Sequence, residues 1–309
     1  MGVPPMSEKR DAPPARGLRG FANRQRAAGA LGCVVHLVVR PLYRWWLPAL
    51  LGLVVSGSAP AAGAAGEHVI LLHGLARTDR SMAPLKAALE RDGFVVANVA
   101  YPSRTARIAE LSEQAIGPAL EECRREGATT VHFVTHSLGG ILVRSYLARH
   151  RVPELGHVVM LAPPNQGSEL VDVLGGWALF GFVNGPAGRE LGTKSDSVPC
   201  RLGAVNYSVG VVAGNRSINW INSLLIPGPD DGKVSIERTK LAGMADHLVV
   251  PATHPFLMRD AEAIRQTIRF LHTGRFDHPG APKAAAEMPP RQRVTVCENP
   301  GIRDNDVQS

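Results

Sequence analysis

Apolar positions along this chain recur in two rhythms. Residues 68–72, 94–99, 131–135, 157–161, 209–212 and 247–250 are short runs rich in aliphatic and β-branched side chains. Their length and nearly uninterrupted apolar character predict strands buried on both faces. Between them lie longer stretches, 81–91, 108–125, 138–150 and 261–271, where apolar residues return every three or four positions. In 108–125, for example, Leu111, Ala115 and Leu120 stand among charged residues, as on an amphipathic helix. Gly93, Gly127 and Gly274 sit where helices should stop. Strand and helix in alternation predict an α/β architecture, a mostly parallel central sheet with helices on both faces.

Two stretches break the rhythm. Residues 167–203 carry Leu170, Leu174, Trp177, Phe180, Phe182 and Val183, then a polar, Gly-rich tail. They are expected to form a small lid-like insertion over the sheet. Beyond Phe276 the chain is Pro-rich and polar without a period, which predicts little regular structure. The expected organisation is a leader at 1–66, one domain at 67–275 with the insertion at about 167–203, and a tail at 276–309.

Charge places the leader apart from the rest. Of the net +7, six units fall in residues 1–44, where Lys9, Arg10, Arg16, Arg19, Arg24, Arg26, Arg40 and Arg44 face only Glu8 and Asp11. The remainder is nearly neutral, which argues against a nucleic-acid-binding face on the domain. After Arg44 comes an apolar run at 45–55 and then small residues to Gly66, including Ala59-Pro60-Ala61 and Ala62-Gly63-Ala64. Basic, apolar, small is the order of a secretory signal, so export to the periplasm or outside the cell is expected. If retained, residues 45–55 would instead associate the protein with the membrane. Cys33, Cys123, Cys200 and Cys297 show no metal-like spacing. A Cys200–Cys297 bridge is one of the pairings that export would allow.

Chemistry enters at Val131-His132-Phe133-Val134-Thr135-His136-Ser137-Leu138-Gly139-Gly140. An expected strand ends, a Ser sits at the turn, and an expected helix begins at once, the context of a nucleophile elbow. Thr135 departs from the Gly that the pattern Gly-x-Ser-x-Gly places there. A Ser that only caps the following helix is the plainer reading. Upstream, His73-Gly74-Leu75 follows the first strand directly. A base and an acid should follow the nucleophile in the order Ser, acid, His. His254 lies in a loop between the last expected strand and the last helix, whereas His247 opens that strand at its far end. For the acid, Asp231 in the turn-rich loop 227–235 is the first candidate and Asp230 the second, with Asp246 beside His247 a weaker third.

Taken in order, five strings resemble the α/β-hydrolase superfamily, close to bacterial lipases and esterases. They are His73-Gly74-Leu75, Thr135 to Gly140, Leu161-Ala162-Pro163-Pro164-Asn165-Gln166-Gly167-Ser168, Asp230 to Ser235, and His254-Pro255-Phe256-Leu257-Met258. The resemblance implies a catalytic triad of Ser137, Asp231 and His254, and an oxyanion hole built from the amides of Leu75 and Leu138. It implies an ester or lipid as substrate, and no metal or organic cofactor. His73, Gly74, Trp177, Phe180 and Phe182 are the expected substrate-binding residues, the aromatics forming a greasy rim unless they are simply core. The same machinery also serves thioesterases, amidases and acyltransferases, and some members of the superfamily only bind.

Overall fold

The computed structural model describes residues 66–278. The leader, its apolar run 45–55, Cys33, Cys297 and the chain after 278 lie outside the described residues. Six strands form one all-parallel sheet in the order β2-β1-β3-β4-β5-β6. They are β1 (Glu67–Leu72), β2 (Val95–Val99), β3 (Thr130–His136), β4 (Leu155–Leu161), β5 (Val209–Gly214) and β6 (Asp246–Val250). Around them lie α1 (Ala83–Asp92), α2 (Ile108–Arg125), α3 (Leu138–Leu147), α4 (Glu169–Leu174), α5 (Ala178–Arg189), α6 (Val198–Arg201), α7 (Trp220–Ser223), α8 (Ile236–Thr239) and α9 (Ala261–Thr273).

Because successive side chains of a strand point to opposite faces, each apolar strand supplies two cores. Ile70, Leu72, Phe133, Met160 and Val211 meet Leu111, Ile116 and Leu120 of α2 and Ile141 and Leu142 of α3. Val69, Leu71, Val134, Val159 and Val212 meet Leu85 and Leu89 of α1 and Phe270 and Leu271 of α9. Each such fully buried aliphatic or aromatic side chain contributes roughly 1.5–3 kcal/mol over leaving it in water. Two-sided burial is why these strands read as continuous apolar runs rather than as alternating ones.

Topology sets where a site can form. From β1 the chain crosses to β2 on one side and then returns to β3 on the other. The loops leaving β1 and β3 therefore diverge, and a crevice opens at their carboxyl ends. In the β1–β3 register, Leu72 pairs with Thr135. His73 and His136, and with them the two motifs that follow, are thus brought side by side.

The expected boundary at 275 falls too early. Phe276 is buried against Phe270, with ring centroids 4.8 Å apart. The Asp277 amide donates to Gln266 Oε1 at 2.8 Å, and Gln266 Nε2 donates back to Asp277 O at 2.8 Å. An aromatic residue closing the lower core outweighs the polar composition of the segment it starts. Cys200 is disulfide-bonded. Among the described residues no helix is long and apolar enough to cross a membrane.

Candidate active site

Ser137 stands between the last residue of β3 and the first of α3 with φ 53° and ψ −118°, a conformation that side chains other than Gly rarely adopt. Strain of this kind persists only where the surroundings hold it. The Ser137 amide donates to Leu161 O at 2.8 Å, and Gly140 N donates to Ser137 O at 3.0 Å. Tightness of the turn also demands Gly139, because a Cβ there would stand 2.6 Å from Leu72 O and 3.1 Å from His73 O. The nonstandard Thr135 is accommodated on the other side. Its hydroxyl faces Val159 O at 3.4 Å, and the space beside it exists because position 140 is Gly. A Cβ on Gly140 would stand 3.3 Å from Thr135 Oγ1 and 3.2 Å from Pro163 Cβ.

The structure brings the three expected polar groups into one chain. Ser137 Oγ donates to His254 Nε2 at 3.1 Å, and His254 Nδ1 donates to Asp231 Oδ2 at 2.8 Å. His254 and Asp231 are buried. The other oxygen of Asp231 accepts the amides of Lys233 at 3.0 Å and Val234 at 2.9 Å. His254 N donates to Asp231 O at 3.0 Å, so loop and base are also tied through backbone. Asp230 does other work: its Oδ1 accepts Ser223 Oγ at 2.8 Å and Gly232 N at 2.6 Å, closing its own turn. His247 lies away from the site, with Nε2 at 3.0 Å from Thr239 Oγ1. A hydroxyl hydrogen-bonded to an imidazole that is oriented by a buried carboxylate is an activated nucleophile in chemical terms.

His136 was not singled out by sequence, although it adjoins Ser137. It is buried, and its Nε2 donates to His254 O at 2.9 Å, fastening the segment that carries the base. Burial, and then the neighbouring His254 charge, hold its pKa well below the ordinary histidine value, which keeps it neutral. Gly74 packs directly on this pair: a Cβ there would lie 2.7 Å from His136 Nδ1 and 3.2 Å from Ser137 Cβ. The loop that follows is held by Ala76 N donating to Ser103 Oγ at 3.0 Å and Arg77 N donating to Gly74 O at 3.2 Å. Leu75 lines the same cavity as Ser137. The Leu138 amide, first in α3, has no acceptor within its own helix.

That cavity has a volume of about 500 Å³ and is lined largely by apolar side chains. The insertion supplies Leu170, Val171, Leu174, Phe180, Val183 and Leu191, and a second lip brings Ile218, Asn219 and Asn222. The expectation for the insertion is corrected in detail. Phe180 lines the cavity, but Trp177 and Phe182 point outward at 64% and 85% exposure. Two residues on a helix differ by about 200° in direction, so Phe180 and Phe182 could not share one face. His73 does not reach the cavity either. It is fully buried, stacked on Tyr101 with centroids 4.1 Å apart, and Tyr101 Oη donates to its carbonyl at 2.5 Å. It anchors the loop after β1 rather than touching a ligand, and Gly74 acts by being small, not by lining the cavity.

Arg144 was also missed. Its signal is an Arg inside the largely apolar α3, and the buried guanidinium meets no carboxylate among the described residues. It donates to Asn165 O at 2.8 Å, Pro199 O at 3.0 Å and Gly203 O at 2.8 Å, tying the helix behind Ser137 to the end of the insertion. Burial lowers its pKa to about 10, so it remains charged at neutral pH.

No protein-family model matches the sequence, and no curated protein does. Solved structures do. The mature form of Bacillus licheniformis lipase BlEst2 matches with a TM-score of 0.55 at 17% identity, covering 68% of this chain and 94% of that one. Its propeptide form gives 0.54 at 18% identity, covering 72% of this chain and 53% of that one. A metagenomic carboxyl esterase gives 0.50 at 19% identity, covering 68% of this chain and 71% of that one. With the all-parallel sheet and its helices on both faces, the fold is that of the α/β-hydrolases.

Proposed function

We propose that this α/β-hydrolase-fold protein is a serine hydrolase of carboxylic esters, of lipase or esterase type. The observation that carries the reading is the continuous hydrogen-bonded chain from Ser137 through His254 to Asp231, opening into an apolar cavity. In this reading His254 takes the proton of Ser137 as Oγ attacks the ester carbonyl. The oxyanion gathers against the amides of Leu75 and Leu138, the latter at a helix N-terminus. His254 then gives its proton to the leaving alcohol, and water repeats the sequence on the acyl-enzyme to release the acid and restore Ser137.

The apolar wall of α4 and α5 supports an acyl chain as the guest. So do the exposed apolar side chains of the insertion and the second lip, Trp177, Leu179, Phe182, Ile218, Ile221 and Leu224. The lipase and the carboxyl esterase that share the fold point the same way. The test is hydrolysis of p-nitrophenyl esters of short and long acyl chains by the full chain, with Ser137→Ala and His254→Ala alongside. Turnover that both substitutions abolish, with fluorophosphonate labelling of Ser137, is expected. A folded protein with no turnover and an unlabelled Ser137 would overturn the proposal in favour of a binding module.

A further inference from the structure

Two cations share the wall of a largely apolar cavity. Arg77 follows the loop after β1, and Lys233 lies two residues past Asp231; both line the cavity beside Ser137 and His254. Neither side chain makes a hydrogen bond or ion pair among the described residues, although the Asp231 charge attracts Lys233. The only carboxylate of the lining is Asp231, and its oxygens are taken by His254 and by two backbone amides. Some basic residues of the domain meet acids, as in Arg124 with Glu154, Arg238 with Glu169 and Arg265 with Glu262, and the buried Arg144 meets backbone carbonyls. Desolvation first, and then the charge of Arg77, push the Lys233 pKa down against the opposing pull of Asp231. Like charges held together at the mouth of an apolar cavity are unfavourable until an anion enters between them.

Resting on the serine-hydrolase reading, we infer that Arg77 and Lys233 form a subsite for an anionic group on the alcohol portion of the substrate. The apolar wall comes from the insertion and suits the acyl chain, while both cations come from core loops that flank the nucleophile. The substrate class is therefore an acyl ester of an anionic alcohol, such as an acylated glycerol phosphate.

The test compares 1,2-dihexanoylglycerol 3-phosphate with 1,2-dihexanoylglycerol, both below their micelle concentrations. A second pair, 4-nitrophenyl hydrogen glutarate and 4-nitrophenyl butyrate, moves the anion to the acyl side. Inorganic phosphate added against the neutral diester tests the free anion as a competitor. In the first pair the phosphorylated ester should lead in kcat/KM by about fivefold to tenfold at low salt, from two partly exposed charge contacts. The lead should shrink as salt is raised, and Arg77→Met with Lys233→Met should bring the ratio toward one. Inorganic phosphate should inhibit weakly, because it lacks the acyl anchor. A ratio near one in the unaltered protein, a preference that survives both substitutions, a preference confined to the glutarate pair, or tight competition by phosphate would each overturn the assignment. The salt series needs no variant, so a misfolded double substitution leaves the question decidable. Turnover of the neutral diester with Ser137 labelled, but no charge preference, sinks this inference alone; loss of both sinks the hydrolase reading as well.

Discussion

Replacing Asp231 by Asn changes one atom and inverts a hydrogen-bond polarity. Asn can keep its carbonyl oxygen on the amides of Lys233 and Val234, which now bind Oδ1 at 3.0 and 2.9 Å. Its NH2 then occupies the place of Oδ2, 2.8 Å from His254 Nδ1. A donor facing Nδ1 forces that nitrogen to accept, so the ring proton moves to Nε2, toward Ser137 Oγ. In that tautomer His254 cannot take the hydroxyl proton. Asp-to-Asn at the equivalent role in a serine protease costs about 10⁴ in kcat, or roughly 5 kcal/mol of barrier, and a loss of 10³–10⁴ is the magnitude expected here. The fold should survive, because shape and two of the three hydrogen bonds are retained. Asp230→Asn is the contrast. Its Oδ1 serves Ser223 Oγ and Gly232 N, contacts that an amide oxygen can also accept, so activity should fall less than about tenfold. The assay is steady-state ester hydrolysis together with the rate of Ser137 phosphonylation, which reads nucleophile activation without deacylation. If Asp231→Asn kept more than a tenth of the activity, or Asp230→Asn lost as much as Asp231→Asn, the assignment of the acid would be wrong.

Two further outcomes follow from packing and from protonation. Gly139→Ala sets a Cβ 2.6 Å from the Leu72 carbonyl, a backbone atom that cannot swing away, whereas Gly117→Ala on α2 meets nothing closer than 3.9 Å. The first should cost about 1–3 kcal/mol, lowering Tm by roughly 2–4 °C per kcal/mol and weakening turnover, while the second should hold or raise Tm; equal melting curves would refute the elbow's steric account. Burial, reinforced by His157 and His272, lowers the His132 pKa to about 4, and burial with Lys240 does the same for His247. An unfolded histidine titrates near 6.5, so between about pH 6.5 and 4 the unfolded chain binds more protons, and stability falls as pH drops by up to about 1.4 kcal/mol per unit for each. Urea midpoints should decline from pH 7 to pH 4.5, less steeply in His132→Asn; a flat profile would contradict the burial of these rings.

Much of the framework was legible because burial on two faces leaves a coarse mark. Runs such as 131–135 and 157–161 could hardly be anything but inner strands, and their alternation with helical spacing set the layers. The order of Ser137, Asp231 and His254 was legible for a similar reason, since each sits at a junction that sequence marks with Gly, Pro or a sudden change of period. Boundaries were softer: α3 stops at Leu147, three residues short of the 150 that apolar spacing predicts. The cavity wall was the least readable. Which of Trp177, Phe180 and Phe182 faces inward depends on how α5 is turned, and an exposed aromatic looks like a buried one in a string of letters. The lip carrying Ile218 and Asn222 is too short to show a period at all. Arg77 and Lys233 stand 156 positions apart in the chain, and only the closing of two loops sets both on one cavity wall.

The fit between Thr135 and Gly140 couples two letters of the motif. A Cβ at 140 would stand 3.3 Å from Thr135 Oγ1, 3.3 Å from Met160 Sδ and 3.2 Å from Pro163 Cβ, so a larger residue there asks all three to give way slightly. Shrinking 135 would relieve one of these contacts and leave the other two, so what 140 tolerates is set by three neighbours at once. A pattern that treats each motif letter independently would see a defect at 135 and an ordinary glycine at 140. In the folded chain the two positions border one shared space.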